Sequence, residues 1–349
     1  MIYRAAVIGT GQPGLYQMQS YAQNPRAELI AAWGRSEAQL ARLQQEYDLS
    51  LATTDLDEIL ACEDVDCVSI CVPNQLHADW SERALRAGKH VFCEAPMVPR
   101  RADAERMVRA VEETGLVLMV GQIDRFEPAF IHIKRMVEGG ELGRPFLAES
   151  RFLGRGWTRH KPLDWWGRDA ANPQIALVSL GCFSISLLRW VMGPIAEVSA
   201  YATRQGWPNQ AHDDTVSINL RFESGALGRV LVSEATQQPY ALDLAVYGDE
   251  GTVVNNQLAS NRWLDVGRDE FLELPIPLIA WVEYPDPAIQ SLFDAEIEGF
   301  LGSIDAGTPP PVDVQEGAAI AAALDAATES IATGKPVNPP DEWSLTAQQ

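Results

Sequence analysis

The stretch Ala5-Ala6-Val7-Ile8-Gly9-Thr10-Gly11-Gln12-Pro13-Gly14 decides the fold of the first third of the chain. Four apolar residues read as a buried strand, and the G-x-G-x-x-G after them opens a helix. In that setting Gly9 makes the tight turn, Gly11 lets the backbone approach a pyrophosphate and Gly14 lets helix and strand pack closely. The helix start turns its N–H groups and the positive end of its dipole toward an anion. A glycine-rich turn with no ligand would use the same residues. The alternation of the later segments argues against it.

Further apolar runs recur at Leu29-Ile30-Ala31-Ala32-Trp33, Val68-Ser69-Ile70-Cys71-Val72, His90-Val91-Phe92-Cys93 and Leu116-Val117-Leu118-Met119-Val120. Between them lie Glu37 to Tyr47, Ala78 to Ala87 and Ala102 to Thr114, each with apolar residues at helical spacing. Continuous apolar strands separated by helices predict a parallel sheet covered on both faces. After a predicted helix from Pro128 to Val137 the pattern changes to period-two alternation, at 146–151, 198–202, 215–220, 226–232 and 242–247. That pattern predicts an antiparallel-rich sheet with one face open. Helices return over Ser291 to Ile304 and Val314 to Thr333, and Pro339 onward reads as a loose tail. The expected fold is α/β plus α+β. A doubly wound Rossmann-type parallel sheet spans residues 1–122, and an open, mostly antiparallel sheet with C-terminal helices spans 123–349.

At 349 residues the chain exceeds the size at which one core stops growing, which agrees with two domains. A net charge of -21 and a pI near 4.6 oppose binding to nucleic acid or an anionic membrane and favour a small-molecule partner. No apolar run is long enough to span a bilayer, so the expected location is cytoplasmic. The 5 cysteines contain no C-x-x-C pair, and neither a disulfide framework nor a metal site is expected. Lysine is confined to Lys89, Lys134, Lys161 and Lys335, which limits the possible proton donors.

The end of the second strand reports which dinucleotide is held. An acidic residue there accepts the ribose 2′-hydroxyl and repels a 2′-phosphate. Here the position reads Gly34-Arg35-Ser36. Loss of the carboxylate and gain of a guanidinium favour NADP, with NAD second, because arginine presents a fork to phosphate. A solvent-facing Arg35 is the alternative.

Val72-Pro73-Asn74-Gln75-Leu76-His77, followed by Ala87-Gly88-Lys89-His90-Val91-Phe92-Cys93-Glu94-Ala95-Pro96, closely resembles the Gfo/Idh/MocA family of sugar and cyclitol dehydrogenases. The resemblance continues at Gly121 with Arg125-Phe126-Glu127-Pro128, at Leu187-Leu188-Arg189-Trp190, at Tyr247-Gly248-Asp249-Glu250-Gly251 and at Val314-Gln315-Glu316-Gly317. It implies a C-terminal open sheet that carries the substrate pocket and often forms a dimer, here a homodimer or homotetramer. It implies cofactor contacts at Gly9, Thr10, Gly11, Gln12, Pro13 and Gly14, at Val72, Pro73 and Asn74, at His77 and at Glu94. Arg125 matches a residue near cofactor and substrate.

Two departures stand out against that resemblance. The family reads Glu-Lys-Pro after the fifth strand, its lysine assisting proton movement; this chain reads Glu94-Ala95-Pro96. The pocket helix of the family reads Asp-x-Gly-x-His-x-x-Asp, whereas here Ser179-Leu180-Gly181-Cys182-Phe183-Ser184-Ile185-Ser186 stands in its place. A positioned base contributes about 10²- to 10⁴-fold to alcohol oxidation, so losing these groups disables the usual sugar chemistry. Lys161 is then the best remaining proton carrier, beside His160 and the aromatic walls Trp165 and Trp166. Ala95, Arg125, Ser179 and Phe183 complete the expected pocket. His212-Asp213-Asp214 reads as a strand-start turn. The expected function is an NAD(P)-dependent oxidoreductase with an altered active site, acting on a sugar-like, cyclic, imine or carbonyl substrate. The alternative is a catalytically inactive NAD(P)-binding sensor or partner subunit.

Overall fold

The computed structural model describes residues 1–154, 176–207, 211–260, 271–279 and 285–340. The chain divides into two compact units, one built from Met1–Ile123 with Glu283–Ala318, the other from Asp124–Val282 with Ala319–Asp341.

In the first unit the strands β1 (Tyr3–Ile8), β2 (Ala27–Trp33), β3 (Leu51–Thr53), β4 (Cys67–Ile70), β5 (His90–Glu94) and β6 (Leu118–Gly121) form one sheet in the order β3-β2-β1-β4-β5-β6. Every pairing is parallel. Helices α1 (Gln12–Gln23), α2 (Glu37–Tyr47), α3 (Leu56–Ala61), α4 (His77–Arg86) and α5 (Arg101–Thr114) provide the crossovers. The central strand β1 buries Ala5, Ala6, Val7 and Ile8 completely, which is why it reads as an unbroken apolar run. The order reverses between β1 and β4, and ligands of doubly wound sheets bind at the carboxyl ends of strands where this happens.

Helix α8 (Pro287–Ala306) also belongs to this first unit, although its place in the sequence put it in the second domain. Phe293 stacks on Tyr16 of α1 with ring centroids 4.8 Å apart, and Gln290 Nε2 donates to Ser20 Oγ at 2.8 Å and to the Tyr16 carbonyl at 3.2 Å. Its apolar stripe therefore has its partner far away in sequence. The Val120 amide donates to the Val312 carbonyl at 2.9 Å, fixing the segment after α8 beside β6.

The second unit contains α6 (Pro128–Glu138), α7 (Gly181–Met192) and strands β7 (Pro145–Leu153), β8 (Ile195–Thr203), β9 (Thr215–Phe222), β10 (Leu227–Ser233), β11 (Ala241–Gly248), β12 (Gly251–Val254), β13 (Gln257–Ser260) and β14 (Leu272–Glu273). Their order is β14-β13-β12-β11-β7-β10-β9-β8, with β7 and β10 parallel and the other pairs antiparallel. One face, carrying Ala148, Ser150, Phe152, Val216, Ile218, Val230, Val232 and Leu244, is buried. Helix α7 covers it, placing Phe183 edge-on to Phe152 and bonding Ser184 Oγ to Ser150 Oγ at 2.9 Å. The other face is open. It carries the ion pairs Arg151–Asp243 and Arg229–Glu149, with Tyr201 69% and Leu227 50% exposed. Helix α9 (Val314–Thr333) begins in the first unit and continues into the second, where Ser330 Oγ accepts the Ala200 amide at 3.0 Å. No helix among the described residues is long and apolar enough to cross a membrane.

Candidate cofactor site and the altered pocket helix

At the end of β1 the backbone of Gly9 takes φ +121°, and its amide donates to the Trp33 carbonyl at 2.9 Å. L-residues rarely adopt that conformation, and a Cβ there would also collide with the Cys71 carbonyl oxygen. At Gly14 a Cβ would meet the carbonyl oxygen of Gly9, so turn and helix touch backbone to backbone. Gly11 differs from both. It is the N-cap of α1, in an extended conformation with no side-chain capping bond, and an added Cβ would find nothing within 4 Å. Pro13 in the first turn loses no hydrogen bond that the helix could make. The first turn of α1 thus presents an uncapped amide end to open space, which fits a pyrophosphate.

Beside this loop, Gln39 Nε2 donates to the Thr10 carbonyl at 2.9 Å while Thr10 Oγ1 donates to Gln39 Oε1 at 3.0 Å. Ser36 Oγ caps α2 by accepting the Gln39 amide. A Cβ at Gly34 would come within 2.8 Å of Thr10 Oγ1, so the pinned threonine leaves no room for an acidic side chain there. Arg35 is exposed directly after it.

Past β4, Val72 and Pro73 lead into a short 3₁₀ turn, Asn74–Leu76. Asn74 is buried with no hydrogen-bond partner for its Oδ1. The His77 ring ties two strand-end loops together, with Nε2 2.7 Å from the Val72 carbonyl oxygen and Nδ1 2.9 Å from that of Pro96. Burial lowers its pKa below the usual imidazole value, and the flanking carbonyls oppose that shift. Glu94, ending β5, accepts from Gln17 Nε2 and from the Ala95 amide. Burial pushes its carboxyl up to about 7 against those two bonds. Alanine at 95 supplies no ammonium at the position where the resemblance expects one.

In the second unit Arg125 is buried, its Nε donating to Ser186 Oγ at 2.8 Å and its Nη2 to the Ser186 carbonyl at 3.0 Å. The guanidinium lies 5.7 Å from the Trp190 ring centroid. Sequence reading singled out Arg125 but missed Ser186 as its anchor, because a serine in a helix carries no signal of its partner. Asp124 is pushed up to about 7 by burial, with the Arg125 charge opposing, and Glu127 to about 7 by burial while its Oε1 accepts the Ile279 amide at 2.8 Å.

The altered signature begins in a π-helical turn, Ala176–Leu180, that runs into α7. Ser179 is part-exposed in that turn. Phe183, at the family's histidine position, packs in an aromatic cluster, 5.8 Å from Phe152, which is itself 4.6 Å from Tyr240. The structure thus brings Gly9 to Gly14, Gly34 to Ser36, Val72 to His77 and Glu94 together at one end of the parallel sheet, and Arg125, Phe183 and Ser179 within the second unit. Lys161, His160, Trp165 and Trp166 lie outside the described residues.

Residues 3–122 match the family model described as "Oxidoreductase family, NAD-binding Rossmann fold", and residues 130–254 match the "GFO/IDH/MocA C-terminal domain". The chain belongs to the Gfo/Idh/MocA oxidoreductase family. An inositol 2-dehydrogenase of Rhizobium meliloti (strain 1021) is 26% identical over 356 residues, covering 97% of this chain and 99% of that protein. A D-xylose 1-dehydrogenase (NADP(+)) of Haloferax volcanii is 28% identical, covering 95% and 98%. A levoglucosan dehydrogenase solved with NADH and levoglucosan shares the fold with a TM-score of 0.87 at 22% identity, covering 98% of this chain and 100% of that one. Gfo/Idh/MocA membership accounts for the parallel dinucleotide-binding sheet and the open second sheet, and it makes this chain an oxidoreductase.

Proposed function

We propose that this oxidoreductase transfers hydride between a nicotinamide dinucleotide, NADP in preference to NAD, and a small sugar-like, cyclic, imine or carbonyl substrate. The observation that carries the cofactor reading is Gly11, an uncapped helix start with open space where a Cβ would stand. The Gly9 to Gly14 loop would hold the pyrophosphate, and the unpartnered Asn74 Oδ1 would meet a donor on the nicotinamide side, near Val72, Pro73, His77 and Glu94. When bound, the cofactor supplies or accepts the hydride. The preference for NADP rests on the excluded carboxylate at Gly34 and the exposed guanidinium of Arg35. Substrate class rests on the relatives, which are named for inositol, D-xylose, 1,5-anhydro-D-fructose and levoglucosan. Arg125, Ser179, Phe183, Ala95, Trp165, Trp166, His160 and Lys161 are the proposed pocket groups. A cytoplasmic homodimer or homotetramer formed through the open sheet face is supported by exposed Tyr201 and Leu227 and by five free cysteines.

The test monitors absorbance of the reduced cofactor with NADP(H) and NAD(H) against myo-inositol, D-xylose, levoglucosan and 1,5-anhydro-D-fructose. Turnover of one of these, and loss of about tenfold in NADP affinity in Arg35→Ala with NAD affinity kept, is expected for one lost charge-assisted contact. Binding without turnover of any polyol, carbonyl or imine would mark a sensor instead.

A further inference from the structure

The covered face of the second sheet does not stop at the ends of its strands. In the antiparallel pair β9–β10 the last partners are Thr215 and Ser233, and the Glu234 amide still donates to the Asp214 carbonyl at 3.0 Å. Asp214 and Glu234 are therefore the next opposed pair. By strand alternation they continue the face that carries Val216 and Val232, the one on which α7 lies. The nearest described neighbours on that face are Phe152, paired with Val232, and Phe183 packed against it. This is the start of the signature helix, where the family's proton-moving groups are missing.

Two carboxyls directly opposite one another stand only about 5 Å apart at Cβ. Asp214 is 3% and Glu234 4% exposed, so water screens them little. Two negative charges in such a place repel strongly, and one proton is retained between them. Hydrogen bonding decides which carboxyl keeps it. Asp214 Oδ2 accepts the Trp207 amide at 2.6 Å and Oδ1 accepts the Thr215 hydroxyl at 2.7 Å, an environment made for the ionised form. Glu234 receives no hydrogen bond to its carboxyl from any described residue. Burial first, and the Asp214 charge second, push it up to about 7. Among the described residues the other ionisable groups at this end of the sheet are Tyr240, packed on Phe152, and the exposed-side pair Arg204–Asp213. Neither α7 nor the end of β7, where Phe183, Ser184 and Gly154 stand, contributes a charge.

We propose that Glu234, held protonated opposite Asp214, is the proton donor and acceptor of the reaction, in place of the absent lysine and histidine. This rests on the oxidoreductase reading above. In reduction, Glu234 gives its proton to the carbonyl oxygen as hydride from the reduced nicotinamide reaches the carbon. The C=O bond becomes CH–OH, the cofactor is left oxidised, and the Glu234 carboxylate regains a proton from water. In oxidation the same carboxylate takes the hydroxyl proton. Asp214 is a positioning residue, fixing where Glu234 titrates.

Two measurements on the full chain test this. With carboxyl-¹³C glutamate label, the spectrum of the unaltered protein minus that of Glu234→Gln should contain one resonance titrating near pH 7. That resonance should move to lower pH in Asp214→Asn. In the reductive direction, with the panel substrate that turns over fastest, kcat should fall about tenfold per pH unit above that midpoint. Glu234→Gln should lower kcat about 100-fold and abolish the alkaline limb, the scale of a lost general acid. Asp214→Asn should keep the limb but shift it downward, which a purely structural residue would not do. An unchanged limb in Glu234→Gln overturns the assignment, as does a limb that vanishes only in Lys161→Ala. Absence of turnover by the unaltered chain overturns instead the reading on which the proposal rests. The glutamine variant is close in shape and removes a buried acid, so its melting temperature at about pH 8 should be no lower than that of the unaltered chain.

Discussion

Replacing Gly11 by alanine separates binding from stability at a single atom. The backbone at Gly11 is extended, φ -74° and ψ -177°, a conformation any residue adopts, and the added Cβ meets no protein atom within 4 Å. Alanine is a poorer N-cap than glycine by roughly half a kcal/mol, while the unfolded chain loses about 0.4–1 kcal/mol of conformational freedom. These terms oppose, and the net change in stability stays within about 0.5 kcal/mol, or roughly 1–2 °C in Tm for a chain of this size. The same methyl projects into the space in front of the helix start, where the pyrophosphate must approach. Forcing a methyl into a filled contact costs about 1–3 kcal/mol, which corresponds to about a 5- to 150-fold rise in Kd. Calorimetric titration with NADPH and NADH, alongside thermal melting, reads both quantities on one sample. A variant that melts normally and binds both cofactors as tightly as the parent would refute the placement of the pyrophosphate. A variant that fails to fold would refute the open space at Gly11.

Gly14→Ala should behave in the opposite way, because its Cβ meets the Gly9 carbonyl oxygen, which only a backbone shift can relieve; a loss of about 1–3 kcal/mol in urea unfolding is expected. Glu94 stays protonated in the fold up to about pH 7 whereas its unfolded value is 4.5, so the unfolded chain binds fewer protons between these values and stability falls as pH rises through that window. Glu94→Gln keeps an acceptor for Gln17 and removes the buried charge. Its melting temperature should fall less between about pH 5 and about pH 8 than that of the parent, a difference of at most about 3 kcal/mol. Ser186→Ala strips the buried Arg125 Nε of its acceptor and should cost about 1–3 kcal/mol in chemical denaturation, whereas Ser186→Thr retains the hydroxyl and should recover most of it.

Much of this molecule is written locally. The run Ala5 to Gly14 dictates strand, turn and helix because each glycine there answers a constraint within a few residues or one neighbouring strand, and the apolar runs repeat with the spacing of a parallel sheet. Alternation over 146–151, 215–220 and 226–232 likewise announces a sheet with one buried face, since strand period is a local property. Departures at Ala95, Ser179 and Phe183 are equally visible, because a missing side chain needs no coordinates to be noticed.

Partnership is what the sequence left open. Periodicity states that α8 has an apolar stripe, yet only packing shows that Tyr16 and Ser20 receive it, which moves the helix from the second domain to the first unit. Asp214 reads alone as a turn residue and Glu234 as one acid after a strand. Only the register of β9 against β10 sets them face to face, buried, with the hydrogen bonds on one of them and the proton on the other. Propensity and pattern act over a turn of helix or a pair of strand residues, whereas charge coupling and burial depend on which distant segments the folded chain brings within a few ångströms.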